Sequence, residues 1–303
     1  MPEKKYCFGL IGYPLEHSLS PQLHQAAISA MNIQGEYRLY PITPFPEGKQ
    51  AMNELIGAFR AGRLDGLNVT VPHKENVISW LKELSPSAQT IGAVNTIGLE
   101  NDTLYGENTD SPGFMAALTS FFGEHNQGIV PGNALILGAG GSARAVAYAL
   151  LQANWQVMVA ARRCEQAHDL VHDLKSVVCK IQTATDLNNL TAYTLDRAGL
   201  EEIRAEIQLI VNATPLGMWP KSEESPWPTD IALPGGAMVY DLVYNPPETP
   251  FMQAARESGL PASNGLGMLV EQAALSLERW TGLAVPRKPM WESVAEFIST
   301  RRE

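Results

Sequence analysis

Hydrophobic and polar positions along this chain fall into short apolar runs that alternate with stretches of helical spacing. Tyr6 to Gly12 predicts a strand running into Tyr13-Pro14, and Pro21 to Met31 a helix entered through Ser20 as its N-cap. Glu36 to Ile42 predicts a second strand, Lys49 to Ala61 a helix, and Gly66 to Val71 a buried strand ended by Pro72. Ala93 to Ile97 and Thr103 to Gly106 predict two strands around an Asn101-Asp102 turn, followed by a helix from Ser111 to Phe122. After a break in composition over residues 123–132 comes the most apolar strand, Ala134 to Leu137. A helix from Ala143 to Ala153, a strand from Gln156 to Ala160 and a helix from Gln166 to Lys175 extend that unit. Leu209 to Asn212 and Met238 to Leu242 predict later strands of the same sheet, and Gly265 to Thr281 and Pro289 to Arg301 two terminal helices.

This alternation implies an α/β protein, with an N-terminal mainly parallel α/β domain and a Rossmann-type dinucleotide-binding domain. At 303 residues the chain has room for two ordinary domains, each with its own core. The expected division is 1–110, completed by terminal helices over 265–303, and 111–264. No internal repeat of solenoid length is visible.

Composition narrows the surroundings. An apolar share of 45% and a charged share of 18% suit a folded chain, and no segment has the apolar length needed to span a bilayer. The start of the chain carries no signal-peptide pattern, and three cysteines without common spacing suit buried, reduced thiols, so a cytoplasmic location is expected. A net charge of -10 disfavours nonspecific nucleic-acid binding, so an anionic ligand needs a local cluster of donors.

Gly138, Gly140 and Ala143 match the dinucleotide fingerprint, in a segment (Gly138, Ala139, Gly140, Gly141, Ser142, Ala143) that leaves a strand and opens a helix. The first glycine permits the tight turn, the second lets backbone N–H groups approach a pyrophosphate, and the alanine lets helix and strand pack closely. About twenty residues further on, where an acid would bind the ribose of NAD, stand Ala161-Arg162-Arg163; two guanidinium groups favour the 2′-phosphate of NADP.

Ser18 and Ser20 point to similar sides at a helix start, a natural carboxylate site, though ordinary capping accounts for them as well. Asn68 and Thr70 share one face of their strand, and Lys74 follows Pro72 to start the next helix at the carboxyl edge where parallel sheets bind ligands. Asn95 and Asp110 end successive elements of the same half. One amine, one carboxylate and several neutral donors near a dinucleotide domain are what carbonyl reduction requires. His168-Asp169-Leu170-Val171-His172 imitates a zinc-protease helix but lies on the outer helix of the dinucleotide unit with no third ligand, so no metal is expected.

Seven ordered segments, Gly12–Pro21, Asn68–Lys74, Ile91–Thr96, Asn108–Asp110, Gly138–Gly141, Asn212–Met218 and Gly265–Gln272, resemble the shikimate dehydrogenase family across nearly the whole chain. The resemblance implies NADPH-dependent, reversible reduction of 3-dehydroshikimate to shikimate, on the chorismate route to aromatic amino acids. It further implies that Lys74 and Asp110 are the catalytic pair, that Ser18 and Ser20 hold the substrate carboxylate, and that Asn68, Thr70, Asn95 and Gln272 bind ring hydroxyls, with Tyr244 near the substrate. Gly138, Gly140 and Gly141 are expected against the pyrophosphate, and Asn212, Thr214, Met218 and Gly265 along the cofactor. Members using NADP often carry Asn-Arg-Thr where this chain has Ala161-Arg162-Arg163. A quinate or dual-substrate dehydrogenase is the alternative, although relatives accepting quinate often alter the second serine, which Ser20 retains; a non-catalytic NADP-binding regulator is another, opposed by retention of Lys74 and Asp110. The expected partner is the small-molecule substrate alone, bound by a monomer or homodimer.

Overall fold

A computed structural model of the protein describes residues 4–181 and 189–300. It divides into two compact units, one running to Thr109 and resuming at Leu269, the other spanning Asp110–Met268.

The first unit is built from β1 (Lys5–Gly12), α1 (Ser20–Ala30), β2 (Gln34–Pro41), α2 (Lys49–Arg60), β3 (Gly66–Val69), a 3₁₀ turn (Asn76–Trp80), β4 (Glu83–Leu84), α3 (Pro86–Ile91), β5 (Thr96–Glu100) and β6 (Thr103–Glu107). The sheet order is β2-β1-β3-β5-β6-β4. β1 pairs in parallel with β2 and β3, and β4 with β6, while β3–β5 and β5–β6 are antiparallel. The hairpin β5–β6 turns on Asn101 (φ 49°) and Asp102 (φ 58°), two residue types that tolerate the left-handed region a tight hairpin needs. Met52, Ile56 and Phe59 recur on one side of α2 and are buried against Ile11, Leu67 and Val69 of the sheet.

The second unit begins with α4 (Asp110–Glu124) and continues through β7 (Asn133–Leu137), α5 (Gly141–Gln152), β8 (Gln156–Ala161), α6 (Cys164–Ile181), β9 (Leu190–Thr194), α7 (Arg197–Ile203), β10 (Leu209–Asn212), β11 (Met238–Asp241), α8 (Pro250–Glu257) and β12 (Ala262–Ser263). Its six strands pair in parallel in the order β12-β11-β10-β7-β8-β9, the doubly wound arrangement of dinucleotide-binding proteins. Side chains alternate across it: Ala134, Ile136, Leu209 and Val211 join one core with Val146 and Leu150 of α5, whereas Leu135, Leu137 and Ile210 join another with Phe251 of α8. Both faces are covered, which is why these strands read as continuous apolar runs.

Two helices follow, α9 (Leu266–Thr281) and α10 (Arg287–Thr300). From Leu269 on they belong to the first unit, where α10 packs on α1 and Trp280 of α9 stacks on Phe8 at 5.0 Å. Gly66 admits that indole, since a Cβ there would lie 2.2 Å from Trp280 Cδ2. Among the described residues no helix is long and apolar enough to cross a membrane. Cys7, on β1, and Cys164, at the start of α6, are free thiols but half-buried rather than buried; the side chain of Cys179, like Arg301, lies outside the described residues.

Candidate active site

In the first unit, β1 and β3 are adjacent and in register, Ile11 beside Val69, so the segments leaving them start from one edge of the sheet. Thr70 N donates to Ile11 O at 2.8 Å and Tyr13 N to Val71 O at 3.0 Å. Glycine at position 12 allows this approach, because a Cβ there would sit 2.3 Å from Thr70 Cγ2. Along one branch Ser18 Oγ accepts from Ser20 N at 3.3 Å. The expected N-cap at Ser20 is corrected: Leu19 (φ -84°, ψ -4°) occupies the cap position and Ser20 is the first helical residue. Helical bonding already starts at Leu19 O, which accepts from Leu23 N at 3.1 Å, so the chain turns one residue earlier than the Ser-Pro signal suggests.

Along the other branch lies Lys74, buried, and it does not start a helix as expected; the 3₁₀ turn begins only at Asn76. Its position is fixed by neighbouring backbone bonds. His73 N donates to Thr70 O at 2.9 Å, Val94 N to Lys74 O at 2.8 Å, and His73 Nε2 to Ile42 O at 2.7 Å.

Asn68, Asn95 and Gln272 come together although Asn95 and Gln272 are 177 residues apart. Asn68 Oδ1 accepts from the Tyr37 hydroxyl at 2.8 Å, while its Nδ2 donates to Asn95 O at 3.1 Å and Ser276 Oγ at 2.9 Å. Asn95 stands just before β5 rather than within a strand, and its Nδ2 reaches Thr109 Oγ1 at 2.9 Å and Gln272 Oε1 at 3.3 Å. Thr96, Thr109 and Ser276 complete the cluster, with Thr96 Oγ1 lying 2.8 Å from Ser276 Oγ and 3.1 Å from Thr109 Oγ1. These three hydroxyls were missed by sequence reasoning, although Ser276 stands one helical turn beyond Gln272 and Thr109 directly before Asp110. Beneath them His24 is fully buried, stacked on Tyr37 at 3.8 Å; its Nδ1 donates to Ser20 O at 2.8 Å, and burial pushes its pKa down to about 4.

In the second unit Asp110 is buried in the first turn of α4. Gly138 (φ 108°) turns the chain out of β7 and also makes room for a neighbour, since a Cβ there would lie 3.0 Å from Thr214 Cγ2. Gly140 is the N-cap of α5, Gly141 its first residue, and Ser142 and Ala143 follow, Ala143 buried in the core. A Cβ on Gly140 would meet nothing within 4 Å, so protein packing does not demand glycine there; the open backbone at a helix start fits the approach of a pyrophosphate. Ala139 packs beside this core, and Arg162 and Arg163 stand exposed between β8 and α6, free to meet a 2′-phosphate. The cofactor the fingerprint implies therefore fits the residues present.

Asn212 ends β10. Its Oδ1 accepts from Thr214 N at 2.9 Å and Thr214 Oγ1 at 2.7 Å, and its Nδ2 donates to Leu216 O at 3.2 Å. This folds the segment to Met218, which is exposed, into a compact loop against Gly138. Gly265 is buried, its N donating to Val243 O at 3.1 Å next to the half-buried Tyr244. His168 Nδ1 donates to Cys164 O at 3.0 Å, and among the described residues no group of three His, Cys, Asp or Glu is placed to hold a metal ion.

A doubly wound parallel sheet with a glycine fingerprint, joined to a second α/β unit carrying a buried lysine and a carboxamide cluster, defines an NAD(P)-dependent oxidoreductase of the two-unit α/β class. Comparison with known proteins narrows the class. Residues 10–97 match the shikimate dehydrogenase substrate binding domain, 124–195 the shikimate / quinate 5-dehydrogenase family, and 265–295 the shikimate 5′-dehydrogenase C-terminal domain. The chain belongs to the shikimate dehydrogenase family. It is 38% identical over 286 residues to the shikimate dehydrogenase (NADP(+)) of Carboxydothermus hydrogenoformans, covering 94% of this chain and 95% of that one. The crystal structure of shikimate 5-dehydrogenase from Thermus thermophilus with NADP(H) and shikimate is similar at a TM-score of 0.78 and 35% identity, covering 96% and 99% of the two chains. Quinate dehydrogenase from Corynebacterium glutamicum with NAD gives a TM-score of 0.83 at 29% identity, covering 97% and 100%.

Proposed function

We propose that the protein is an NADP-dependent shikimate dehydrogenase, oxidising the C3 hydroxyl of shikimate to the ketone of 3-dehydroshikimate and catalysing the reverse reduction. The first unit with its terminal helices binds substrate and the second binds NADP. The observation that carries this reading is the contact between Asn95 and Gln272, which builds a rigid carboxamide face at the carboxyl edge of the first sheet, suited to ring hydroxyls. Asn68 and Thr70 bind ring hydroxyls beside that face, Ser18 and Ser20 hold the substrate carboxylate, and Tyr244 lies near the substrate.

Bound NADPH supplies the hydride for reduction. As charge develops on the C3 oxygen, Lys74 donates a proton from Nζ and ends neutral; in oxidation the neutral amine takes that proton back. Asp110 orients the ammonium. Gly138, Gly140 and Gly141 present backbone to the pyrophosphate, Asn212, Thr214, Met218 and Gly265 border the cofactor, and Arg162 with Arg163 grips the 2′-phosphate. The same reading makes this a cytoplasmic enzyme, monomer or homodimer, with no nucleic-acid or membrane partner, in keeping with its net charge of -10.

An absorbance assay at the nicotinamide band, crossing shikimate and quinate with NADP+ and NAD+, tests it. Shikimate with NADP+ should give the highest kcat/KM. Faster turnover of quinate would move the substrate assignment, and no turnover in any combination would leave only a nucleotide-binding protein.

A further inference from the structure

Asp241 ends β11 with its carboxylate wholly shut off from solvent, and every neighbour it bonds is a donor. Oδ1 accepts from Asn212 Nδ2 at 2.8 Å and Val243 N at 3.0 Å, and Oδ2 accepts from Thr249 Oγ1 at 2.7 Å. Three pieces of backbone meet here. Asn212 opens the loop that runs to Met218 and folds it through Thr214 and Leu216. Thr249 caps α8, accepting from Met252 N at 3.3 Å, and lies under the far end of the same loop, where a Cβ on Gly217 (φ 92°) would be 3.0 Å from Thr249 Cβ. Val243 carries the turn toward Tyr244, and its carbonyl receives Gly265 N at 3.1 Å. A Cβ on Gly265 would strike Leu242 O at 2.1 Å, so that contact has no slack.

We infer that Asp241 is a positioning residue for cofactor binding: one buried carboxylate bonds the start of the Asn212–Met218 loop, fixes Thr249 against which Gly217 at its far end packs, and sets the Val243–Gly265 contact beside it. The inference rests on the NADP assignment above but not on the identity of the substrate. Through Thr214 the hold also reaches Gly138, the first glycine of the fingerprint, so the pyrophosphate turn and the loop proposed to border the cofactor share one anchor. A carboxylate suits the place because two oxygens must accept from three donors, which neither an amide nor a hydroxyl does. Burial pushes its pKa up to about 6 while Thr249, Val243 and Asn212 pull it back, so it is ionised at neutral pH. No charged side chain is among those causes, so the donors alone compensate the charge.

The test uses the full chain. Asp241→Asn keeps the shape but turns an N–H toward a donor; Thr249→Val keeps the volume but removes the hydroxyl, and so both the donor to Asp241 and the α8 cap, and Thr249→Ser restores both. Binding of NADP+ is titrated by calorimetry, shikimate binding is titrated separately, KM and kcat are measured, and thermal unfolding verifies the fold. Asp241→Asn and Thr249→Val should each weaken NADP+ by about tenfold or more and raise its KM, with shikimate affinity within about twofold of the parent, and Thr249→Ser should recover most of the loss. Variants that unfold at lower temperature yet bind NADP+ like the parent would show a merely structural role and overturn the inference. If Asp241→Asn does not fold, the Thr249 pair decides by the same comparison. A parent that binds NADP+ but leaves shikimate unchanged defeats the substrate assignment and leaves the binding arm to judge Asp241; a parent that does not bind NADP+ overturns both.

Discussion

The Thr109 backbone N–H donates to Asn95 Oδ1 at 2.7 Å, and that bond settles which way the Asn95 carboxamide faces. A backbone N–H can only donate, so the oxygen must lie toward Thr109 and Nδ2 must point at Thr109 Oγ1 and Gln272 Oε1. Gln272 follows: its oxygen accepts from Asn95, and its Nε2 donates to Leu269 O at 2.9 Å. The face proposed for the ring hydroxyls therefore has a fixed pattern of donors and acceptors before any ligand arrives.

Asn95→Asp tests that pattern. The oxygen facing Thr109 N is kept, but the second oxygen is brought against Gln272 Oε1, acceptor to acceptor, in a buried place. Shikimate affinity should fall by about tenfold or more, and stability by roughly 1–3 kcal/mol, the range for a buried polar group that loses its partner. Isothermal titration together with urea unfolding would check both. Unchanged affinity in a folded variant would remove Asn95 from the proposed substrate face.

Lys74 is held by backbone bonds on either side, so Lys74→Ala should fold normally and still bind NADP+. Turnover should drop by about two to four decades, the share that general acid–base catalysis supplies. Steady-state kinetics on a variant verified to bind NADP+ measures this, and near-normal kcat would take Lys74 out of the proton transfer.

Much of the fold was legible because it rests on local signals. β7 and the fingerprint stand in the open as an apolar run stopped by glycines, and the β5–β6 turn is written in Asn101-Asp102. What stayed hidden depends on distant partners. β4 and β12 are two residues each, too short for any periodicity, and β9 alternates weakly at the sheet edge. The α8 start was visible in principle, since Thr249-Pro250 is a cap followed by a first-turn proline, but the same kind of pair at Ser20-Pro21 proved one residue out of place. Among candidate site residues, those singled out sit in recognisable motifs; Thr96 and Thr109 sit in such motifs and were still passed over, and Ser276 and Asp241 lie outside them, because each is defined by what the chain brings to it from far along the sequence.

For Arg162 and Arg163 no hydrogen bond or ion pair with the described residues absorbs the guanidinium, so replacing both with Ala should leave stability nearly unchanged. NADP+ affinity should fall by about one to two decades, since a charge-assisted phosphate contact is worth roughly 1.5–3 kcal/mol, while NAD+ affinity changes little. Parallel titrations with the two nucleotides provide the measurement. Affinities that fall together would place the 2′-phosphate elsewhere.

His24 and Asp241 make the two units respond to acid in opposite ways. Burial holds His24 at about 4, below its ordinary 6.5, so between those values the unfolded chain binds a proton that the folded unit refuses. The stability it contributes is fully present above about pH 6.5 and is lost as pH falls toward about 4. Asp241 is held up at about 6, above its ordinary 3.8, so the folded unit keeps a proton the unfolded chain releases. Its contribution is present below about pH 3.8 and is lost as pH rises through about 6. Each group is worth roughly 3 kcal/mol across its window. Because the units need not unfold together, a single melting temperature would blur the two effects. Hydrogen exchange followed by mass spectrometry, corrected for intrinsic rates, reads them separately at about pH 4.5 and about pH 7. On acidification, protection should fall in α1 and β2 relative to its value in His24→Phe, which keeps the ring against Tyr37 but cannot titrate. In β10 and β11, acidification should raise protection in the parent relative to Asp241→Asn. If neither substitution alters the pH dependence of its own unit, the two groups titrate alike in the folded and unfolded chain, and burial does not shift them as described.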